Sequence, residues 1–541
     1  MAPKSGKHPR SPSADDNLRR PTTKRAKEVD TKDNPYEKLI EASKAQDKSP
    51  KPSAIVHWFR EQDIRLQDNA ALSAASSKAK DASVPLLTIF VFSPLDMEWH
   101  GLSPAKIDFI LESLKLLQSE LEELHIPLVP LTANRRVDKG KMVMDFIKKH
   151  KVSHVFANFE YEVDELRRDL DLYKRLKSEE TSFELFHDQT VMEPGTLTSG
   201  SGAPMKVFTP YHKAWLQKVG RQPELLNVYD DPAANDKDVS TKYKDLFGQK
   251  FPEAPKSKQF QSESERKSIR QLWPAGHQAA MKRLDHFLGK KVETYKANRS
   301  TPAADNSSRL SAYFSAGVLS VRQALSAARK ANDDQNFETS GNSGIYSWAR
   351  ELVFREFYRH MLIIKPHNAM NLPSNLKFDF VQWEDDEEGW KKWCKGKTGM
   401  PFIDAGMRQL NTESYMHNRL RMNTASYLRT NLLIDYRKGE RYFAEHLIDW
   451  DLANNTNGWE PSYTVFNPVV QAEKCDPDGE YIRKWVPELN NVQGKAVFDP
   501  YHRLSKQEFE KLDYPAPHVD FKESRQRCLQ RYKSDMADAD P

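Results

Sequence analysis

The chain has 541 residues, of which 38% are hydrophobic and 29% charged, and its 82 lysines and arginines against 77 aspartates and glutamates give a net charge of +5. Such a length corresponds to about two to four domains with sizeable cores. Cys394, Cys475 and Cys528 form no Cys-x-x-Cys pair, which excludes a disulfide framework and the usual zinc spacings. No apolar run reaches the roughly 18 residues that span a bilayer, so a soluble intracellular chain is expected, with no membrane partner and no metal.

In chain order, residues 1–51 are rich in Pro, Ser, Lys and Asp with few large apolar side chains, a composition that predicts a disordered basic tail. Residues 1–27 hold eight basic side chains against Asp15 and Asp16, so this tail carries more than the whole net charge and the body is close to neutral. Any nucleic-acid site in the folded part must therefore come from local charge placement. Arg19, Arg20, Lys24, Arg25 and Lys27 form a cluster of the nuclear-import type. The nucleus is the expected compartment and the mitochondrion the alternative, with Asp15 and Asp16 departing from the acid-poor pattern of a transit peptide.

Apolar stretches at residues 55–59, 85–92, 126–131, 152–157 and 183–186 predict strands of a parallel sheet buried on both faces. Helical periods lie between most of them, as in Ile107, Ile110, Leu111, Leu114, Leu117, Leu121 and Leu124, so residues 52–190 read as a doubly wound α/β domain. No Gly-x-Gly-x-x-Gly turn follows a strand, which removes the main support for dehydrogenase chemistry. Residues 191–275, rich in Pro, Ser, Gln and Lys, read as an interdomain connector.

Beyond residue 275 the stretches 309–329, 346–364, 400–410, 416–433 and 439–451 carry helical patterns. Seven of the eleven tryptophans (Trp348, Trp383, Trp390, Trp393, Trp450, Trp459, Trp485) fall in this half. Residues 276–530 are thus expected to be all-helical with an aromatic interior, followed by a tail at 531–541. Arg419 and Arg421 stand two apart on one predicted helix, about 200° around its axis, so one reaches solvent and the other points inward, where it needs a carboxylate. Asp449 and Asp451 are the candidates. The segment Ser307, Ser308, Arg309, Leu310, Ser311 opens a helix whose N–H groups suit a phosphate, although helix caps use the same residue types.

Taken together, several strings resemble one family. They are Trp58, Phe59 and Arg60 with residues 63–69, then residues 206–211, 308–311, 351–360, 416–422 and 481–489. In this order they resemble the photolyase/cryptochrome family over nearly the whole chain, from residue 55 to 530 or so. Met416, His417, Asn418 and Arg419 have the form found in class I cyclobutane pyrimidine dimer photolyases, fungal ones in particular. The resemblance implies an antenna-binding α/β domain followed by an all-α FAD-binding domain. It implies a monomeric light-driven lyase with FAD, active in the reduced form, acting on DNA that contains pyrimidine dimers. A blue-light photoreceptor of cryptochrome type, or a dual protein, is the alternative.

Residue roles follow from the same resemblance. Tyr295, Ser307, Ser308, Arg309, Leu310, Ser311 and Trp348 would hold the phosphates, ribityl or adenine of FAD. Arg421 would pair with Asp449 near the isoalloxazine, beside Trp450 and Asp451, and Asn455 would neighbour flavin N5, where a neutral amide adds no negative charge. Glu351 would bond a base edge from a pocket with Asn418, Met422 and Phe354, its carboxyl raised by an apolar wall. Glu351, Asn418 and Asn455 are the catalytic expectations, and Arg299, Arg355 and Arg419 the contacts to DNA phosphates. Trp459, Tyr436 and Trp383 occupy the electron relay, with Tyr436 where the family has tryptophan. The segment after Trp459 is shorter than the family pattern and lacks a tryptophan that packs on the dimer, which leaves Phe354, Tyr463 or Tyr415 to supply that wall. Glu165 matches the carboxylate that holds a 5,10-methenyltetrahydrofolate antenna in relatives, whereas Asp164, Ala369 and Met370 depart from that pattern.

Overall fold

The computed structural model describes residues 19–46, 50–99, 101–177, 179–337, 341–537 and 539–541. Ala54–Phe59 (β1), Leu86–Phe92 (β2), Leu128–Thr132 (β3), Val152–Asn158 (β4) and Ser182–Phe186 (β5) form one parallel sheet in the order β3-β2-β1-β4-β5. Every residue of β1, β2 and β4 is buried, because helices cover both faces, and this is why these strands read as continuous apolar runs rather than alternating ones. Trp58 of β1 stands level with Ile89 of β2 and Ala157 of β4. The strand order reverses between β1 and β4, the place where open α/β sheets leave a crevice at their carboxyl ends.

The crossover helix Pro104–Glu123 shows how locally the first domain is specified. Ser103 Oγ accepts from the Lys106 N–H at 3.0 Å, Pro104 takes the first position, and the left-handed His125 (φ 57°) lies just beyond its end. Ile107, Ile110, Leu114, Leu117 and Leu121 fall on one face and are buried. In the second half the helix Ser343–Ile364 is the spine. It packs on Val292–Asn298, Phe208–Arg221 and Leu452–Trp459, and most of its side chains are buried.

The structure corrects three expected boundaries. Residues 1–18 lie outside the described residues, but residues 19–46 are not a disordered tail. They form the helices Thr23–Val29 and Pro35–Lys44, capped by Thr22 and Asn34, with Ala26, Val29 and Leu39 fully buried. This strap bridges the two halves, packing on the helix Val163–Leu176 of the α/β domain and on the turn Pro366–Ala369 of the helical one. Arg20 Nε donates to Asp379 Oδ1 at 2.6 Å, Asn34 Nδ2 to the Ile363 carbonyl at 2.9 Å, and Asp30 Oδ2 lies 2.6 Å from His367 Nδ1. Each partner is more than 300 residues away in sequence, so composition alone could not reveal the order.

The stretch 191–275 is likewise more than a surface connector. It contains the helix Phe208–Arg221, whose Tyr211 and Trp215 are fully buried and donate to Glu356 Oε1 at 3.3 and 2.9 Å, while the Val191 and Met192 N–H groups reach the same carboxyl group at 2.8 and 3.0 Å. The third boundary, at residue 531, cuts through the helix Phe521–Ala537, where Tyr532 is fully buried against Phe378 and Trp383. Among the described residues no helix is long and apolar enough to cross a membrane, and no group of three or more His, Cys, Asp and Glu side chains is placed to hold a metal ion.

Candidate active site

One helix, Asn418–Ser426, organises the site. Its two arginines diverge as their spacing requires. Arg421 points inward, with Nη2 donating to Asp449 Oδ2 at 2.7 Å and Nε to the Met416 carbonyl at 2.7 Å. Arg419 points to the mouth, where Nη2 donates to Ser300 Oγ at 3.0 Å beside Arg299. Asn418 and Met422, four residues apart and therefore on one face, are exposed.

On the inner side, the Asp449 side chain is 1% exposed. Among the described residues its Oδ1 and the Trp450 indole Nε1 are buried without a hydrogen-bond partner. Buried polar atoms are rarely left unpaired, so each of these atoms stands ready for a ligand. Arg309 closes the rim, its guanidinium 5.2 Å from the Tyr415 ring centroid and 3.1 Å from Asp305 Oδ1. Leu310 occupies the cap position of the helix Ser311–Ser315 with no side-chain cap bond, so Ser307 and Ser308 are not consumed by capping and remain partly exposed, as Ser311 is fully. Tyr295 and Trp348 stand on facing helices and share Phe287, at 5.4 and 5.2 Å between ring centroids. These residues fit a polar, aromatic ligand of the FAD kind.

Two expected cofactor contacts also have protein partners. Asp451 accepts from Arg359 Nη2 at 3.1 Å and caps the helix Leu452–Trp459 through the Asn454 N–H at 2.8 Å. Burial would raise its carboxyl, but the Arg359 and Arg355 guanidiniums outweigh that and hold it below its ordinary value. Asn455 lies inside that helix, and its Nδ2 donates to the Glu440 carbonyl at 3.0 Å.

At the mouth, Arg299 Nη1 forms an ion pair with Glu351 Oε1, both side chains 35% exposed. The expected carboxyl against an apolar wall is thus replaced by a carboxylate–guanidinium pair open to solvent. Arg355 is also corrected. It is buried and donates to the carbonyls of Gln189 at 2.6 Å and Phe314 at 3.1 Å, so it ties backbone segments together rather than facing a phosphate. Phe354 stacks on Phe208, with Arg350 4.9 Å from its centroid. Tyr463 belongs with the C-terminal helix, its ring 6.0 Å from Tyr532, and Tyr415 packs inward on Trp273 at 5.3 Å. The shortened segment after Trp459 is firmly held: Glu460 accepts from the Ser374 and Asn375 N–H groups, and Arg429 donates to Ser462.

His417 caps the organising helix by accepting from the Arg419 N–H at Nδ1, 3.2 Å away. Burial first, then the Arg421, Arg419 and Arg309 guanidiniums, push its imidazole down to about 4. A depressed imidazole in the folded state means that the unfolded chain takes up the proton first. Stability is therefore complete above the ordinary value of 6.5 and falls as pH drops toward 4. By pH 5 this histidine should cost about 1–2 kcal/mol. Comparing denaturation midpoints at pH 7.5 and 5 should show a smaller loss in His417→Gln than in the parent chain, and equal losses would refute the assignment.

Beside the inner side lies a cleft at the carboxyl ends of β1 and β2, lined by Trp58, Arg60, Lys106, Glu162 and Glu165 of the α/β domain and by Trp450 and Asp451 of the helical one. Glu165, the expected antenna carboxylate, accepts from Arg136 Nη2 at 3.0 Å. Burial, then the Glu165 and Glu160 carboxylates, push Glu162 up to about 7. Of the residues expected to form the relay, Trp383 and Tyr436 are 6.1 Å apart, and Trp459 is buried against Gly439, Phe443 and Trp393.

Sequence reasoning missed Lys106, whose Nζ donates to Ser315 Oγ at 2.6 Å and to the Trp450 carbonyl, and it missed Arg359 and His417. Only the pair Trp390 and Trp393, three apart on one helical face, carried a readable signal.

Residues 55–228 match the family described as DNA photolyase, and residues 348–534 match the FAD binding domain of DNA photolyase. The chain is 41% identical over 522 residues to the deoxyribodipyrimidine photo-lyase of Neurospora crassa, covering 92% of this chain and 84% of that protein. To the Escherichia coli deoxyribodipyrimidine photo-lyase it is 36% identical over 489 residues, 88% of this chain and 98% of that protein. A bacterial class III photolyase from Agrobacterium tumefaciens has a similar structure, with a TM-score of 0.76 at 29% identity over 92% of this chain and 100% of that chain. With both domains matched and one helix dividing a ligand-ready interior from a basic mouth, the chain belongs to the DNA photolyase family.

Proposed function

We propose that this chain repairs cyclobutane pyrimidine dimers in DNA under blue light, with reduced FAD in the helical domain. The observation that carries the reading is the two-sidedness of the helix Asn418–Ser426, which sends Arg421 to Asp449 on one side and on the other leaves Asn418 and Met422 exposed, with Arg419 bonded to Ser300 beside the Arg299–Glu351 pair. A cofactor on one side and an extruded dimer on the other are then separated by a single helix wall. When bound and reduced, FAD supplies the light-excited electron that splits the dimer.

The protein's own part is binding and orientation. Asp449 Oδ1 is the unpaired buried atom available to fix the ring system, with Ser307, Ser308, Ser311 and Arg309 for the phosphate side. Arg299 and Arg419 supply the phosphate contacts that a nearly neutral body requires. Extruding a dimer costs a few kcal/mol, less than for an intact pair, which is one source of selectivity. Asn418 and Glu351 are the groups placed to bond the extruded bases, and Met422 offers an apolar contact. Asn455 acts from within its helix, through its link to the Glu440 carbonyl.

For the antenna, the interdomain cleft that holds Glu165 and abuts Trp450 is the site, and 5,10-methenyltetrahydrofolate the chromophore assigned to it. Mass analysis of the chromophores released on denaturation should find one folate and one FAD per chain, whereas two flavins would overturn the folate. The chain acts as a monomer in the nucleus. For import, the exposed Lys24 and Lys27 of the strap are the side chains available, and their replacement by alanine should retain a tagged protein outside the nucleus.

The repair assay is direct. Purified protein with reduced FAD should remove dimers from UV-irradiated DNA in blue light and leave a dark control unchanged. Bound FAD and bound DNA without light-dependent loss of dimers would refute repair and point to a photoreceptor.

A further inference from the structure

Trp459 has a second aromatic neighbourhood that does not lead to Tyr436. Its ring centroid is 6.2 Å from Trp393, and Trp393 lies 5.4 Å from Trp390 with the two indole planes only 18° apart. Trp393 is fully buried, and Trp390 is half-buried at the start of the helix Glu387–Lys395. Three indoles thus run in contact from the core to the surface. Along the alternative route Tyr436 and Trp383 are 6.1 Å apart, so their own spacing does not disqualify it.

Oxidation chemistry chooses between the routes. A tyrosine that loses an electron becomes a strong acid and keeps the hole only if its proton leaves to a base. Burial holds the Tyr436 phenol well above its ordinary range, which opposes that loss. If the proton stays, the Arg437 guanidinium, 4.7 Å from the ring centroid, opposes the positive charge left behind. Asp435 and Asp379, the latter shared with Arg20, pair with Arg437 and weaken this opposition, which leaves the trapped proton as the main obstacle.

Trp393 meets neither obstacle. An indole holds a hole as a radical cation without losing its proton, and Trp393 Nε1 donates to the Thr424 carbonyl at 3.0 Å, whose dipole favours positive charge. Stacking spreads the charge onto Trp390, where water reaches it.

We infer that the light-driven reduction of bound, oxidised FAD in this chain draws its electrons through Trp459, Trp393 and Trp390, and not through Tyr436 and Trp383. The inference rests on the FAD reading above. In each event Trp459 gives one electron to the photoexcited oxidised flavin and is left as an indole radical cation. Trp393 refills Trp459, Trp390 refills Trp393, and a thiol in solution refills Trp390, losing an electron and a proton on its way to a disulfide. The net change is one electron from thiol to flavin per photon.

Flash photolysis of the FAD-loaded, oxidised protein with added thiol tests this in the parent chain and in Trp390→Phe, Trp393→Phe, Tyr436→Phe and Trp383→Phe. The yield of the long-lived indole radical and the rate of flavin bleaching are read together. Trp390→Phe and Trp393→Phe should lower both by about tenfold or more, and Tyr436→Phe and Trp383→Phe should stay within about twofold of the parent. Trp393 is a core residue, so the half-buried Trp390 is the deciding variant, with FAD content as the check on folding. A Trp390→Phe protein that bleaches like the parent, or a Trp383→Phe protein that fails to, overturns the route. A parent chain that binds FAD without photoreducing it also overturns the route but leaves the cofactor reading intact, whereas a chain that binds no FAD defeats the cofactor reading itself.

Discussion

Replacing Arg421 with leucine should strip the protein of its FAD while leaving most of the fold in place. The substitution leaves the Asp449 carboxylate, 1% exposed, without its guanidinium in a nearly dry pocket. Removing one member of a buried ion pair costs about 3–5 kcal/mol, and because the Arg421 side chain is 25% exposed, solvent should reduce this to about 2–4 kcal/mol. The strain falls on the turn that carries Asp449, Trp450 and Asp451, of which Asp449 lies on the inner side of the site. The ratio of flavin to protein absorbance after gel filtration should drop at least tenfold or so, each tenfold step being about 1.4 kcal/mol. Arg421→Leu combined with Asp449→Asn removes the stranded charge and should regain part of the stability but not the flavin. Full flavin occupancy in Arg421→Leu would show that this ion pair does not shape the cofactor site.

Asp379→Ala should give the largest loss of stability. Its carboxylate, 0% exposed, accepts at 2.6 Å from both Arg437 Nη2 and Arg20 Nε, whose side chains are 0% and 5% exposed. The substitution leaves two guanidiniums in the interior short of a counter-charge, a cost of about 3–5 kcal/mol. Arg437 retains Asp435 at 3.1 Å, and the strap, which loses this tie to the body, should yield first. Trypsin should then cut at Lys24, Arg25 or Lys27 well before it reaches the body, and the melting midpoint should fall. A midpoint and a cleavage pattern like those of the parent chain would refute a structural role for the strap.

Much of the fold was legible because its causes are local. Continuous apolar runs identify β1, β2 and β4, since strands covered on both faces have no polar side to show. The helix Pro104–Glu123 announces itself through Ser103, Pro104 and its apolar stripe. The opposite facing of Arg419 and Arg421 follows from helical geometry alone, and the partner of Arg421 was among the two carboxylates expected. Where the sequence misled, the deciding partner was distant. Arg355 reads as an exposed cation until the carbonyls of Gln189 and Phe314 close over it. Glu351 reads as an isolated carboxyl until Arg299 joins it, and the strap reads as disorder until Asp379, Ile363 and His367 meet it.

By itself, then, the sequence determined the strands and helices, the order of the two domains, the inward and outward faces of the central helix and the resemblance to a family, because hydrophobic period, capping and motif spacing are all short-range properties. Only the tertiary structure decided which charges are paired, which polar atoms are left for a ligand and which aromatic rings touch. Those outcomes depend on contacts between residues hundreds of positions apart, and a buried charge or ring takes its chemistry from whatever surrounds it. The indole pair Trp390 and Trp393 shows both sides of this division: its helical spacing is visible in the sequence, but its contact with Trp459 is not.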